Sequence, residues 1–179
     1  QSGLIGEGLP SHKTLFKLAP GSYSVAEGKD RVELRLEAPE AKGLSVTKVL
    51  TFHRGSYLID VSYEINNKGP AAIAPNAYFQ LERDGTEPPS ETRMVQTFTG
   101  VALYTEGEKY KKITFEDIAK DKAKFPPKAN NGWIGIVQHY FVSAWLPQGS
   151  AEREFFVREV SDNLYSAGVI LPVANIAPG

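Results

Sequence analysis

The stretch Asn-Gly-Trp-Ile-Gly-Ile-Val-Gln-His-Tyr-Phe-Val-Ser-Ala-Trp-Leu-Pro, residues 131–147, decides the fold. It contains both tryptophans and the longest apolar run of the chain. A membrane-spanning helix needs about 20 predominantly apolar residues, whereas turn residues bound this run and Gln138 and His139 interrupt it. Because β-branched and aromatic residues dominate, we predict one long strand over residues 134–145, buried on much of both faces.

Shorter strands are predicted on both sides of this run. Apolar residues occupy alternate positions in residues 32–38 and 57–65, which is typical of half-buried antiparallel strands. With the Thr/Val-rich residues 46–53 between them, they predict a three-stranded meander that ends in a turn at residues 66–70. Further strands are predicted at residues 78–82, 94–98, 101–104, 154–160 and 165–171. Helix is scarce, with one short candidate that Thr114 caps.

The composition limits the possible functions. Lysine plus arginine number 20 and aspartate plus glutamate 21, so a net charge of −1 provides no field for nucleic acid, and a nucleic-acid partner is excluded. The absence of cysteine removes disulfides, thiolate nucleophiles and Cys-ligated zinc. The 179 residues suit a single domain. Because the sequence opens at Gln1 without a leader, we interpret the chain as a piece of a longer protein.

Several local motifs, taken in order, carry a resemblance to a known family. The motifs are Gln1-Ser2-Gly3-Leu4, Ala26-Glu27-Gly28, Phe52-His53-Arg54-Gly55-Ser56-Tyr57, Thr97-Phe98-Thr99-Gly100, Tyr104, Glu108-Lys109-Tyr110, Gly132-Trp133, Gln138, Tyr140-Phe141, Ala144-Trp145 and Pro147. With these motifs in this order, the chain resembles the large periplasmic domain of the YidC membrane-protein insertase of Gram-negative bacteria, in the YidC/Oxa1/Alb3 family.

The resemblance implies an all-β fold: a twisted two-sheet antiparallel β-supersandwich similar to galactose mutarotases, with at most short helices. It also implies a place on the periplasmic side of the bacterial inner membrane, between two transmembrane helices of the parent protein. Family members extend further at both ends. We therefore expect residues 1–179 to form one domain that lacks flanking strands and transmembrane helices and is monomeric in isolation.

Enzymatic and metal sites find little support in the sequence. Sugar epimerases of similar fold use a histidine and a carboxylate, and the candidates here are His12, His53 and His139. Fold similarity alone does not establish chemistry, so we predict no catalysis and no cofactor. No zinc or EF-hand motif occurs. The acidic group Glu82, Asp84 and Glu87 around Gly85 offers carboxylates for calcium, but a solvated acidic turn is favoured.

Two segments are candidates for binding. The aromatic residues of the 131–147 run offer stacking surfaces for a sugar or an extended peptide, but residues 133, 141 and 145 would share one face of a single strand, so core packing is favoured. The charged residues 106–112 form either a solvated hairpin tip or a recognition surface, since tyrosine is favoured at interfaces. The candidate partner-binding residues are Tyr104, Glu108, Lys109, Tyr110, Lys111 and Lys112.

The resemblance also implies partners. In the family, the region matching roughly residues 97–147 contacts SecF, so the resemblance implies a non-catalytic accessory domain that docks SecF and SecD of the Sec translocon or periplasmic segments of substrates. Nascent inner-membrane proteins would be reached through the parent protein. The alternative, of another class, is a carbohydrate-binding or extended-peptide-binding β-sandwich module.

Overall fold

The computed structural model describes residues 1–86 and 97–179, and these residues form mainly short strands. One helix, α1 (Phe115–Ala119), is present among them. The strands, in chain order, are β1 (Ser2–Ile5), β2 (Lys17–Leu18), β3 (Arg31–Glu37), β4 (Leu44–His53), β5 (Ile59–Asn67), β6 (Asn76–Asp84), β7 (Gly100–Thr105), β8 (Lys109–Ile113), β9 (Lys128–Ala129), β10 (Trp133–Gln138), β11 (Phe141–Trp145), β12 (Arg153–Ser161) and β13 (Leu164–Pro172).

The first of two compact units comprises residues 1–3 and 76–172. It contains a five-stranded sheet in the order β1-β6-β13-β12-β9 and a four-stranded sheet in the order β11-β10-β7-β8. Apolar side chains from both sheets and from α1 form one core, since alternate residues of each strand point to the same side. The buried members are Val101, Leu103, Ile113, Phe115, Ile118, Ile134, Ile136, Phe155, Tyr165, Ala167 and Val169.

The second unit comprises residues 4–75 and 173–179. Its sheet has the order β2-β3-β4-β5, and β3, β4 and β5 are joined as the predicted antiparallel meander. A bridge between Ile73 and Ile176 brings the end of the chain back to this unit. Asn67, which is buried, donates hydrogen bonds to the carbonyl oxygens of Ala71 and Ile176 at 2.9 and 3.1 Å. Its side chain therefore fixes the predicted turn after β5.

The all-β class is confirmed, with antiparallel pairing in the described sheets and a single short helix among the described residues. These residues form three separate sheets where the resemblance implied two large ones. The helix begins as predicted, because the Thr114 hydroxyl accepts a hydrogen bond from the backbone N–H of Asp117 at 3.0 Å. The strand predicted at residues 94–98 lies partly outside the described residues.

The prediction of one long strand over residues 134–145 is wrong. The chain reverses at His139 and Tyr140, and β10 and β11 form a tight hairpin in which Gln138 lies opposite Phe141. Trp145 is therefore opposite Ile134 and shares its face, while Trp133 lies on the other face of the sheet. Counting odd positions along a single strand fails here because the reversal changes which residues are neighbours.

Candidate interaction surface

The β7–β8 hairpin carries the residues that the sequence singled out. Its turn is held by a hydrogen bond from the Glu108 backbone N–H to the Thr105 hydroxyl at 3.1 Å, and Lys109 adopts a left-handed conformation with φ of 59°. The ladder then places Tyr110 opposite Tyr104. Because β8 is the edge of its sheet in the described part of the chain, the hairpin presents one of its strands to solvent.

Three aromatic side chains meet on the face of this sheet that is turned away from the core. Trp133 in β10 lies opposite Tyr104, and their rings stack with centroids 6.4 Å apart and planes 14° apart. The Tyr110 ring meets the same indole at 6.1 Å. Trp133 and Tyr104 are half-buried, and Tyr110 is 47% exposed. We call Tyr104, Tyr110 and Trp133 the aromatic cluster.

The six predicted residues do not form one surface. Lys112 shares the face of the aromatic cluster, with its ammonium 5.0 Å from the centroid of the Phe98 ring. Lys109 and Lys111 alternate with Tyr110 and Lys112 along β8 and so point to the opposite side. Lys111 there pairs with Glu108, nitrogen to oxygen at 2.9 Å. The structure therefore brings together Tyr104, Tyr110 and Lys112, and separates Lys109, Lys111 and Glu108 from them.

Sequence reasoning assigned Trp133 to the core, and that assignment is wrong. The signal that could have found it is the pairing of strands. Trp133 lies opposite Tyr104, and Tyr104 lies opposite Tyr110, so the three side chains form an aromatic row across β10, β7 and β8. That pairing is not local in sequence. Phe141, also expected in the core, is 70% exposed at the β10–β11 hairpin.

A buried arginine fixes the loops on either side of β10 and β11. Arg153 is 1% exposed, and its guanidinium donates hydrogen bonds to backbone carbonyl oxygens only. The acceptors and distances are Ala151 at 3.4 Å, Gly132 at 3.2 Å, Pro147 at 3.0 Å, Asn130 at 3.2 Å and Gly149 at 2.6 Å. Burial lowers the pKa of the Arg153 guanidinium, which remains charged at neutral pH. Since Gly132 precedes Trp133, this network helps to position the aromatic cluster.

Gly132 lets the chain pass close to β7 just before Trp133. Its φ is 97°, and a Cβ added there would lie 2.0 Å from the carbonyl oxygen of Tyr104. Next to it, the Asn131 side chain accepts a hydrogen bond from the Glu106 backbone N–H at 2.8 Å. These contacts tie the start of β10 to the tip of the β7–β8 hairpin.

A shallow groove of about 400 Å³ opens elsewhere in the same unit, beside β11. Its apolar walls are Leu81 of β6, Ile136 of β10 and Phe141 of β11. Arg83 at its rim donates from Nε to the Gln138 side-chain oxygen at 2.8 Å. No feature of the sequence by itself pointed to this groove, because β6 and β11 are far apart in the chain.

The remaining predicted groups are scattered. His53 Nε2 lies 2.7 Å from an Asp60 carboxylate oxygen, at an exposed hairpin end in the second unit. His139 contacts the Tyr140 ring next to it, with no hydrogen bond to a carboxylate among the described residues. Of the acidic group, Glu82 accepts hydrogen bonds from Gln80 and Gln1 at 2.9 and 2.8 Å. Glu87 lies outside the described residues.

Residues 1–86 and 97–179 contain no group of three or more His, Cys, Asp or Glu side chains that could hold a metal ion. No helix in these ranges is long and apolar enough to cross a bilayer.

Comparison with known proteins gives a consistent family match. The model of the family described as the YidC periplasmic domain matches residues 1–179. The relatives include proteins named membrane protein insertase YidC from Aromatoleum aromaticum, 61% identical, Nitrosomonas europaea, 56% identical, and Dechloromonas aromatica, 55% identical. Each match covers 100% of this chain but only 33%, 30% and 33% of the respective relative. The chain thus spans about a third of the length of these proteins.

Proposed function

The chain belongs to the YidC periplasmic domain family, and from that membership we propose that it is a non-catalytic, periplasmic accessory module of a membrane-protein insertase. It docks the Sec translocon components SecF and SecD, or periplasmic segments of substrates. It acts at the periplasmic side of the bacterial inner membrane and meets nascent inner-membrane proteins through the parent protein.

The observation that supports docking is the outer face of the β7–β8 hairpin. Tyr110 stands exposed beside Trp133, and Lys112 places a positive charge on the same face. Aromatic side chains beside cations are favoured at protein interfaces, because they offer a large contact area with little loss of conformational entropy. Backbone ladders on both sides hold Tyr104 and Trp133, so this part of the surface is already ordered before a partner binds.

The histidine geometry supports a non-catalytic role. His53 and Asp60 form the histidine–carboxylate pair that an epimerase would need, but their side chains are 33% and 59% exposed on the surface of the β4–β5 sheet. Acid–base catalysis gains from groups held in a site that excludes water. An open surface pair of this kind is better explained as a cross-strand hydrogen bond.

The docking proposal is tested in the full-length parent protein. Tyr110 and Lys112 are replaced by alanine, and the recovery of SecD and SecF with the affinity-purified parent is measured. We expect recovery to fall about fivefold, roughly 1 kcal/mol, since the loss of one aromatic anchor and one rim charge typically costs this much or more.

The matched control replaces Lys13 and Tyr57 by alanine. It also removes one exposed tyrosine and one exposed lysine, but from the second unit. Its recovery of SecD and SecF should equal that of the unmodified parent. Unchanged recovery with the hairpin variant, at equal expression and thermal stability, would remove this hairpin from the interface.

A carbohydrate-binding or extended-peptide-binding module is the second candidate function. One observation favours a sugar site: Trp133 is only half-buried, and its indole is approached by two tyrosines on an outer face. Titration of the chain with oligosaccharides such as maltotetraose would change the tryptophan fluorescence if Trp133 of the cluster stacks on sugar rings. A response that persists after Tyr110→Ala would place any binding elsewhere.

A further inference from the structure

The free edges of the three described sheets differ in how they are protected against pairing with another chain. Exposed edge strands present unpaired backbone N–H and C=O groups, and proteins usually protect them by short length, charge, proline or coverage. β2 and β9 are two residues long. β5 carries Asp60 and Glu64, and β8 carries three lysines. β1 is four residues long, with Ser2 and Leu4 buried.

Among the residues that the structure describes, β11 has none of these protections. Its sequence, Phe-Val-Ser-Ala-Trp, contains no charge and no proline, and its register with β10 is continuous from Phe141 to Trp145. β10 is its one hydrogen-bonded neighbour in the described part of the chain. Phe141 is 70% and Val142 64% exposed, and Ser143 is exposed as well. The strand is therefore a ready template for one more β-strand.

The groove described above lies on one face of this edge. Phe141 and Ser143 lie opposite Gln138 and Ile136, so all four side chains share that face, and all four line the groove. A strand added outside β11 would extend the sheet at the usual spacing of about 4.8 Å. Every second side chain of the added strand would then point to the groove side, next to Phe141.

The two charged side chains at the groove, Arg83 and Glu82, already form hydrogen bonds with other groups of the protein. Besides its bond to Gln138, Arg83 donates to the carbonyl oxygens of Asp84 at 2.9 Å and Thr86 at 3.1 Å. Glu82 accepts from Gln80 and Gln1. What the groove offers to a ligand is therefore the apolar surface of Leu81, Ile136 and Phe141, and an ionised side chain would lose its hydration there without gaining a free partner.

We propose that the β11 edge binds an extended, uncharged polypeptide segment by β-strand addition, with alternate apolar side chains of the segment seated beside Phe141 in the groove. Backbone hydrogen bonds to β11 supply affinity, and the groove selects apolar residues at every second position. The inference does not depend on the docking role of the β7–β8 hairpin, because β8 is the opposite edge of the same sheet.

A peptide fits this edge better than a second copy of the chain does. Five residues of strand are about 17 Å long. A strip of this length and about 10 Å wide covers roughly 170 Å². A stable dimer buries about 800 Å² on each partner. Edge-to-edge pairing of two β11 strands would fall well short of that area, whereas a short peptide needs no more than the edge and the adjacent groove.

The test uses the 179-residue chain and a fluorescein-labelled peptide, Lys-Thr-Val-Thr-Val-Thr-Val-Thr-Lys, in which apolar and polar residues alternate. Binding is measured by fluorescence anisotropy, and backbone amide exchange is followed at β11. We expect a Kd of about 10–100 µM and slower amide exchange in β11 on binding. The same peptide N-methylated at each threonine and valine lacks the backbone donors, and we expect its affinity to be at least about tenfold lower.

Two charge variants place a protecting charge on the edge. Val142→Lys/Ser143→Lys and Val142→Glu/Ser143→Glu should each weaken binding about tenfold or more, because strand addition would bury the new charges. The lysine variant would repel the peptide lysines and the glutamate variant would attract them. Weaker binding by both variants therefore shows that the charges block strand pairing. The matched control is Leu15→Lys/Leu58→Lys, at two exposed apolar positions of the second unit, which should bind like the unmodified chain.

The amide-exchange measurement keeps the proposal testable if an edge variant fails to fold. Absence of peptide binding up to about 1 mM, equal binding of the N-methylated peptide, or unaltered amide exchange in β11 would each overturn it. So would equal binding by folded edge variants. Concentration-dependent dimers that disappear in the edge variants, without peptide binding, would instead assign the edge to a second copy of the chain.

Discussion

At the scale of single residues, Arg153 is a buried charge that pairs with no carboxylate within residues 1–86 and 97–179. Its five hydrogen bonds to carbonyl oxygens connect residues 130–132 with residues 147–151. Hydrogen bonds to charged groups contribute about 1.5–3 kcal/mol each in favourable cases, and an unsatisfied buried acceptor is costly. The arginine thus compensates for carbonyl groups that the irregular loops leave unpaired.

We expect Arg153→Met to lower the free energy of unfolding by about 3 kcal/mol, because it leaves buried carbonyl oxygens without donors. Urea unfolding followed by circular dichroism measures the change. Arg158→Met is the matched control: Arg158 is exposed and makes one side-chain hydrogen bond, to Gln80 at 3.3 Å. A loss in Arg153→Met no larger than in the control would contradict the structural role of the network.

Lys48 is a second residue whose charge is partly desolvated in the folded state, which lowers the free energy of unfolding. It lies between Leu36 and Tyr63 on the apolar face of the β2-β3-β4-β5 sheet, with its ammonium 6.0 Å from the centroid of the Tyr63 ring. Desolvation by burial lowers the pKa of Lys48 below its ordinary value of 10.5. The folded state therefore releases this proton at a lower pH than the unfolded state does.

Because the unfolded state holds the Lys48 proton longer, this residue makes the free energy of unfolding rise with pH between the lowered folded pKa and 10.5. Below that window the charge is destabilising. Lys48→Met should thus be more stable at pH 7 by about 0.5 kcal/mol, a value discounted for the exposed part of the side chain. The stability difference should shrink as the pH approaches 10.5.

Urea titrations of both chains over this pH range would reveal the trend, with the exposed Lys13→Met as the control for loss of one charge. A stability difference between the Lys48 variant and the unmodified chain that stays constant with pH would rule out desolvation as its cause.

At the scale of the elements, the approach of β10 to β7 depends on Gly132. We expect Gly132→Ala to lower the free energy of unfolding by about 2–4 kcal/mol, since it combines an unfavourable positive φ with a clash against the Tyr104 carbonyl oxygen. The fluorescence maximum of Trp133 should shift to longer wavelength as its stacking on Tyr104 loosens.

The control variant Gly28→Ala separates the cost of the positive φ from the cost of the clash. Gly28 also has a positive φ, 72°, but a Cβ there meets nothing within 4 Å. This control should lose only about 1 kcal/mol, the cost of the left-handed backbone. If both variants lost the same stability, the close contact between Gly132 and β7 would have no energetic importance.

The hairpin of β10 and β11 is the element that sequence reasoning missed. Two-residue hairpin loops usually carry glycine, asparagine or aspartate, because these residues tolerate positive φ. His139-Tyr140 carries none of them, so the local signal favoured a continuous strand. The meander of β3, β4 and β5 was found because its turns contain glycine and asparagine and its strands alternate.

At the scale of the whole molecule, each compact unit is built from two separate segments of the chain. The bridge between Ile73 and Ile176 joins the two chain segments of the second unit, and the segment that forms most of the first unit lies between them in sequence. Unfolding of residues 76–172 would turn that segment into a long flexible loop, which raises the entropic cost of keeping its ends together. This connectivity couples the stabilities of the two units.

We therefore propose that the chain behaves as the single domain expected from its length, and we expect one cooperative thermal transition. In differential scanning calorimetry the van't Hoff and calorimetric enthalpies should agree. Thermal unfolding followed separately by Trp133 fluorescence and by circular dichroism should give coincident curves. Two resolved transitions would show that residues 76–172 and the remaining residues unfold independently.

The candidate surface could be predicted only in part. Tyr104, Tyr110 and Lys112 were found from the composition of residues 104–112 and do share one face. Lys109 and Lys111 were grouped with them because they are neighbours in sequence, yet strand alternation places them on the other side. Trp133 was missed because its neighbours come from β7 and β8, at least 23 residues away in the chain.

The sequence by itself determined the all-β class, most strand positions, the capped short helix and the family, because alternation, capping and motif order are local properties that each segment carries alone. The tertiary structure decided which strands are neighbours. It alone divided the 131–147 run into a hairpin, placed Trp133 and Trp145 on opposite faces, and left the uncharged β11 at a sheet edge beside a groove. Strand pairing joins distant residues, and its outcome depends on the burial and hydrogen bonding of the whole set of strands.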